Sequence, residues 1–402
     1  MLGPNYVCPD CFGPLEVAYD LDVVRGRLDR ATIESRAAGI WRYLELLPVE
    51  RRPARGLPVG SSPLLPAPRL GEAIGIERLL IKDDSRNPTL SFKDRAVAVA
   101  VAKALDFGLP ALACASTGNL AGATAAAAAV VGLPAYVFVP ADLEPAKIDH
   151  ALAYGATVVP VQGTYDDVNR LCLEVADELG WGFVNINLRP FYAEGSKTLA
   201  FEIAESLGWR LPDVIVAPVA SGAMFTKIAR GFDELVSIGL VERRTVRFVG
   251  GQAAGCGPVA TAFAQGSSEI VPVRTPDTIV RSLAIGNPAD GRHAVELARS
   301  SGGSVEAISD DDTAEAIRRS ARLEGIYPET AGGVTLAAAE AARRRGVIRP
   351  GDEVVALITG NGLKTPDAFR HGLEPRPAEP GVPGLAPLIP PSYRAFEAWL
   401  ER

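Results

Sequence analysis

"ALACASTGNLAGATAAAAAVVGLPAYVFVPA", residues 111–141, decides the fold. "ALACAS" (111–116) is apolar and too short for a helix, so it reads as a strand. "TGNLAGATAAAAAVVG" (117–132) has the length and alanine content of a helix, which Gly132 and Pro134 stop. "AYVFVPA" (135–141) is the next strand. Two strands joined through a helix run parallel.

The alternation extends both ways. Upstream lie "RLLIKDD" (78–84, strand) and "KDRAVAVAVAKALDFG" (93–108, helix). Downstream follow "PAKIDHALAYGA" (145–156, helix), "TVVPVQG" (157–163, strand) and "YDDVNRLCLEVADELG" (165–180, helix). "FVNINL" (183–188), "DVIVAPVASG" (213–222), "RFVGGQAAG" (247–255), "SVEAISDDD" (304–312) and "EVVALITGNG" (353–362) supply further strands. Between them come helices at "TLAFEIAESLG" (198–208), "TKIARGFDELVSIG" (226–239), through "EGIYPET" (324–330), and at "GGVTLAAAEAARRRG" (332–346). This order specifies an α/β protein with doubly wound parallel sheets, helices on both faces.

At 402 residues with 48% hydrophobic and 22% charged, the chain can bury a large core and form two or three lobes. A net charge of −7 argues against nucleic acid, whose binders need a basic surface. "MLGPNYVCPD" lacks a basic n-region and an apolar h-region, and Lys103, Asp106, Gly132 and Pro134 interrupt the apolar stretches before membrane length, so a cytosolic protein is expected. The five cysteines do not suggest a disulfide framework. Cys8 and Cys11 form one CxxC pair, but no second pair follows, and His150, His293 and His371 are distant in sequence; the expectation is a zinc-ribbon remnant without metal.

In open α/β sheets ligands gather at the carboxyl ends of strands, where helix N-termini present free N–H groups. Four glycine-bearing or proline-bearing turns occupy such places. Ser116-Thr117-Gly118-Asn119 offers N–H groups and hydroxyls to a carboxylate. Ala220, Ser221, Gly222, Ala223 and Met224 are small enough at the start to admit a single phosphate, without the spacing of a dinucleotide or nucleoside-triphosphate site. Thr359-Gly360-Asn361-Gly362 places a hydroxyl at the end of a strand. "NPTLSFKDRA" (87–96) places Lys93 before Asp94 and Arg95, by default a solvated helix start. A phosphate cradle, a carboxylate turn, a placed hydroxyl and a lysine together suggest pyridoxal phosphate held as a Schiff base.

"SFKDR", "ASTGN", "EGSKTLAFE", "ETAGGVT" and "ITGNGLK", in that order, resemble the threonine synthases of the tryptophan-synthase-β-like, fold type II group of pyridoxal-phosphate enzymes. "CPDCFGPLEVAYD" and "IWRYLELLP" resemble the N-terminal segment of one branch, so the likeness runs from about Tyr6 to about Pro366. It implies two open-sheet lobes with the cofactor between them: an N-terminal extension with a helix (1–58), a catalytic domain (59–372) whose smaller lobe is inserted at about 96–188, and a proline-rich tail with a short helix (373–402).

The resemblance makes Lys93 the Schiff-base lysine, and Asn119 the hydrogen-bond partner of the cofactor's 3′-oxygen. Ser116, Thr117 and Gly118 would hold the substrate carboxylate, Ala220–Met224 the cofactor phosphate, and Thr359 the pyridine nitrogen. It implies O-phosphohomoserine as the substrate, an amino-acid phosphate. Departures stand in the phosphate loop ("ASGAM"), at Leu120, and in "RPFY", where Arg189 takes the place of Asn and Tyr192 that of an Arg which grips the substrate phosphate. Arg189, helped by Arg86 or Lys82, is expected to take over that grip. These departures leave open a β-replacement or β-elimination on O-phosphoserine or a hydroxy amino acid. A non-catalytic sensor is the third reading, against which Lys93, Asn119 and Thr359 argue. A homodimer is the default assembly.

Overall fold

The computed structural model describes residues 6–8, 10, 15–116, 118–141, 148–162, 165–372 and 386–401. Its strands are β1 (Leu64–Pro66), β2 (Arg78–Asp83), β3 (Leu112–Ala115), β4 (Ala135–Pro140), β5 (Thr157–Val161), β6 (Gly182–Phe183), β7 (Val214–Pro218), β8 (Arg247–Ala253), β9 (Ser304–Ile308) and β10 (Glu353–Ile358). They form a six-stranded sheet in the order β1-β2-β10-β7-β8-β9 and a four-stranded sheet in the order β5-β4-β3-β6. Every pairing is parallel except β1 with β2. The central strands β7 and β10 are buried along their whole length, as a parallel sheet covered on both faces requires.

β2, β10 and β7 are neighbours, so the turns bearing Lys93, Thr359 and Ser221 leave adjacent carboxyl ends of one sheet. β3 carries the Ser116–Asn119 turn at the carboxyl end of the other. Pro160 in β5 lies in an edge strand, where its missing donor is tolerated.

Some elements differ from the sequence reading. "FVNINL" continues no strand beyond Phe183: Asn187 accepts from Phe183 N at 2.8 Å and donates to Trp181 O at 2.9 Å, and Asn185 bonds both backbone groups of Ala115. These amides take the partners a sheet ladder would have used. The helix before "EGIYPET" is Asp310–Glu324 and ends at Gly325, whose φ of +68° is left-handed. The N-terminal extension is two short helices, Leu21–Arg25 and Arg30–Ser35, then a 3₁₀ segment Ile40–Leu46. The terminal helix is Tyr393–Leu400, and none of its residues is buried.

The charges after Lys93 are not solvated. Arg95 is fully buried and bonds Asp84 at 2.6 and 2.8 Å and Glu202 at 2.7 Å through two nitrogens. Lys82, also fully buried, donates to Glu202 at 2.7 Å and to Ser62 O at 2.6 Å. Two cations thus face two carboxylates beneath the Lys93 helix, each with further hydrogen bonds, as buried charge demands.

Candidate active site

Lys93 opens the helix Lys93–Asp106. Its turn is stitched to the Thr359 turn: Phe92 N donates to Thr359 O at 2.9 Å, and Asn361 N to Leu90 O at 3.1 Å. Leu90 sits at φ +59°, a strained conformation for a branched side chain, which those bonds hold in place. The Lys93 amine donates to Tyr192 Oη at 2.9 Å and lies 4.8 Å from the centroid of the Phe92 ring. Tyr192 belongs to the helix Arg189–Gly195, which approaches the Lys93 helix so closely that a β-carbon on Gly195 would overlap Arg95 O.

Asn119 heads the helix Asn119–Val131 and gives Nδ2 to both carboxylate oxygens of Glu329, at 3.0 and 2.8 Å. Its Oδ1 accepts from Lys364 Nζ at 2.9 Å. Glu329 is the N-cap residue of the helix Thr330–Arg344 and is buried. Burial pushes its carboxyl above the usual range, against the hydrogen bonds of Asn119 and Thr359 and the charges of Lys364 and Lys93. A β-carbon on Gly360 would overlap this carboxylate. Thr359 is buried and reaches Glu329. Lys93, Asn119 and Thr359 therefore converge around one carboxylate that sequence reading passed over. Its signal was the acid at the head of "ETAGGVT".

Ser116 is half-buried, its hydroxyl accepting from Gly118 N at 3.3 Å, and Gly118 is exposed; Thr117 lies outside the described residues. Gly222, at φ +95°, caps the fifteen-residue helix Ala223–Ser237 in the left-handed conformation. A β-carbon there would stand 2.7 Å from Asp290 O, and Asp290 N donates to Ser221 O at 2.8 Å. Ala220, Ser221, Ala223 and Met224 are half-buried around that cap. The first N–H groups of a helix have no partner within it, so this glycine turn has the shape and donors to receive an anion.

Arg189 pairs with Asp290 at 2.6 Å, beside the same turn, and keeps 31% of its side chain exposed. Arg86 is 63% exposed and bonds Asp83 at 2.9 Å. Lys82 is not brought into the site: its amine is committed to the buried pair with Glu202. Cys114 is buried and its thiol is pushed up to about 12 by burial, so it is a small core residue. Cys8 is half-buried, and Cys11 lies outside the described residues; among the described residues no group of three or more His, Cys, Asp or Glu is placed to hold a metal.

These residues fit pyridoxal phosphate: an amine for its aldehyde, a glycine cradle at a helix N-terminus for its phosphate, an amide donor, a hydroxyl, and the buried Ser91 hydroxyl without a partner among the described residues. A sequence profile described as "Pyridoxal-phosphate dependent enzyme" matches residues 56–360, and the chain belongs to that family. Its curated relatives include the threonine synthase of Methanocaldococcus jannaschii, 36% identical over 92% of this chain and 91% of the relative. That of Methanosarcina acetivorans is 37% identical over 90% of this chain and 88% of the relative. Among solved structures, a threonine deaminase from Solanum lycopersicum superposes with a TM-score of 0.64 at 21% identity, covering 78% of this chain and 88% of its own, a likeness of fold.

Proposed function

We propose that the chain is a threonine synthase, a pyridoxal-phosphate-dependent lyase that converts O-phospho-L-homoserine and water to L-threonine and phosphate. The observation that carries this reading is the convergence of Lys93 and Thr359, from adjacent strand ends of one sheet, with Asn119 from the other, in a chain aligned along nearly its whole length with threonine synthases.

Pyridoxal phosphate, when bound, supplies the electron sink that acidifies the carbon bearing the substrate's amino group and the carbon next to it. Lys93 would hold the cofactor's aldehyde carbon, and its amine, when free, would take and return protons at the substrate carbons. Tyr192, bonded to that amine, orients it. Asn119 would donate to the cofactor's 3′-oxygen, Thr359 would face its ring nitrogen, and the 220–224 turn would hold its phosphate. The Ser116–Asn119 turn receives the substrate carboxylate. Over the cycle the bond from the γ-carbon to the phosphate oxygen breaks. Water oxygen bonds the β-carbon, which gives up one of its protons, the γ-carbon gains a proton to become the methyl of threonine, and the proton left over from water goes to the released phosphate.

Arg189 is our candidate for the substrate phosphate. Only one of its nitrogens is bonded to Asp290 and the side chain is partly exposed, which leaves donors for an anion. Arg189→Ala is expected to raise KM for the phosphorylated substrate about tenfold or more; an unchanged KM in steady-state assays removes Arg189 from this role. A second reading, β-replacement or β-elimination on O-phosphoserine or a hydroxy amino acid, is favoured by a neutral hydroxyl, not a cation, standing at Lys93. Parallel assays with O-phosphohomoserine and O-phosphoserine decide: threonine from the first supports the synthase, and turnover of the second alone supports the alternative. We also propose a cytosolic homodimer, the common assembly for an enzyme of this kind. Among the described residues no helix is long and apolar enough to cross a membrane, and light scattering tests the dimer.

A further inference from the structure

We infer that Lys364 is a positioning residue for the cofactor: it fixes which end of the Asn119 amide faces the site. The inference rests on the placement of Asn119 against the cofactor proposed above.

An amide has a donor end and an acceptor end, and nothing in its shape tells them apart. At Asn119 the surroundings make the choice. An ammonium can only donate, so the amide must present Oδ1 to Lys364 Nζ, 2.9 Å away. Nδ2 is thereby turned to the opposite side, where it meets the Glu329 oxygens at 3.0 and 2.8 Å. This is the orientation that offers a donor to an oxyanion. The reversed amide would set an oxygen against the Glu329 carboxylate, and against any anionic oxygen placed beside it.

Lys364 is itself held. It ends the 3₁₀ turn Gly362–Lys364 that follows the Thr359 turn, and Asn361 Oδ1 caps that turn by accepting from Leu363 N at 3.0 Å. Its amine also donates to Thr89 O. Thr89 in turn gives its N–H and its hydroxyl to the buried Asp94 carboxylate, each at 2.7 Å. A continuous chain of hydrogen bonds thus runs from Asp94 to Thr89 to Lys364 to Asn119 to Glu329 beside the Lys93 turn. It crosses from the helix that follows β3 of the four-stranded sheet to the turn that follows β10 of the six-stranded one. A lysine serving only to tie two segments would not need an amide oxygen as its acceptor at this place.

The test uses the absorption spectrum of the cofactor-loaded enzyme at one fixed pH, with kcat and KM measured on the same samples. A donor at the 3′-oxygen favours the visible-absorbing form, in which that oxygen is anionic; its loss favours the near-ultraviolet form. Lys364→Met and Asn119→Ala are both expected to move absorbance from the visible to the near-ultraviolet. Lys364→Met should lower kcat about tenfold or more with KM within about threefold. Lys364→Arg, which keeps a charged donor, should restore most of the visible band. Should Lys364→Met not fold, Lys364→Gln answers the same question, with a smaller shift expected because a neutral donor remains. A Lys364→Met spectrum and kcat equal to wild type, while Asn119→Ala shifts, overturns the inference. So does a lower melting temperature with an unchanged spectrum, which would make Lys364 a structural tie. If wild-type protein shows no cofactor band and Lys93→Ala looks the same, the underlying reading of the site fails and the role of Lys364 falls with it.

Discussion

The Lys93 amine is held by what surrounds it. Phe92 covers it on one side and Tyr192 Oη bonds it at 2.9 Å. Removing that bond leaves the amine free to adopt other rotamers, and placement is what a proton-transfer step requires. Tyr192→Phe should therefore lower kcat by about 10²-fold with little change in KM, measured in steady state. An unchanged kcat would leave Tyr192 as packing. Lys93 was legible as a candidate only in the company of the Ser116, Ser221 and Thr359 turns, since its own segment reads by default as a solvated helix start. Its neighbours were less so. Tyr192 stood out as a departure in "RPFY", but its bond to Lys93 depends on two helices meeting about a hundred residues apart in sequence. Glu329 was hidden because an acid before a helix is also an ordinary favourable N-terminal charge. The "SDDD" run shows that ordinary case: Ser309 caps its helix by accepting from Asp312 N at 3.0 Å.

Elements set these distances, and the contact between the helices Lys93–Asp106 and Arg189–Gly195 is the sharpest constraint. Because a β-carbon on Gly195 would overlap Arg95 O, Gly195→Ala must push the two helices apart or shift their register. The expected cost is about 1–3 kcal/mol of stability, read from denaturant unfolding, with activity falling further than stability alone explains. A neutral Gly195→Ala variant would show that the close approach is not needed. The parallel sheets were legible as strand and helix alternation, since burial on both faces gives continuous apolar runs. Strand ends were not. Asn185 and Asn187 terminate β6 by side-chain hydrogen bonds whose partners, Ala115 and Trp181, no local pattern announces. Likewise the extension was expected to carry one helix, but it folds as separate short pieces.

Across the whole molecule, the paired networks beneath the site hold its parts in register. Arg95, Lys82, Asp84 and Glu202 join the Lys93 helix to β2 and to the helix Thr198–Ser206. Lys197 meets Glu194 at 2.6 Å and Glu234 at 2.8 Å, and lies 4.0 Å over the ring of Tyr19, which brings the N-terminal extension against the Tyr192 helix. Burial pushes the Glu202 carboxyl up, but Arg95 and Lys82 outweigh it and hold it down at about 2. A depressed carboxyl stabilises the fold fully above its unfolded value of about 4.5 and loses that contribution as pH falls towards about 2. Glu202→Gln leaves two buried cations short of a partner and should cost about 3–5 kcal/mol near neutral pH. Denaturant unfolding should show that gap narrowing below pH 4.5; a gap constant with pH would contradict the assignment. None of this network was legible locally, for Asp94 and Arg95 read as a solvated helix start and Lys82 as a phosphate ligand.

The measurement that bears most directly on the central claim is turnover of O-phospho-L-homoserine by the cofactor-loaded enzyme in water enriched in heavy oxygen. Phosphate and threonine should appear one to one, with the label in the threonine hydroxyl and none in the phosphate, because the bond broken lies between carbon and oxygen. Label in the phosphate with homoserine as the product, or no threonine while Lys93→Ala behaves as wild type, would contradict it.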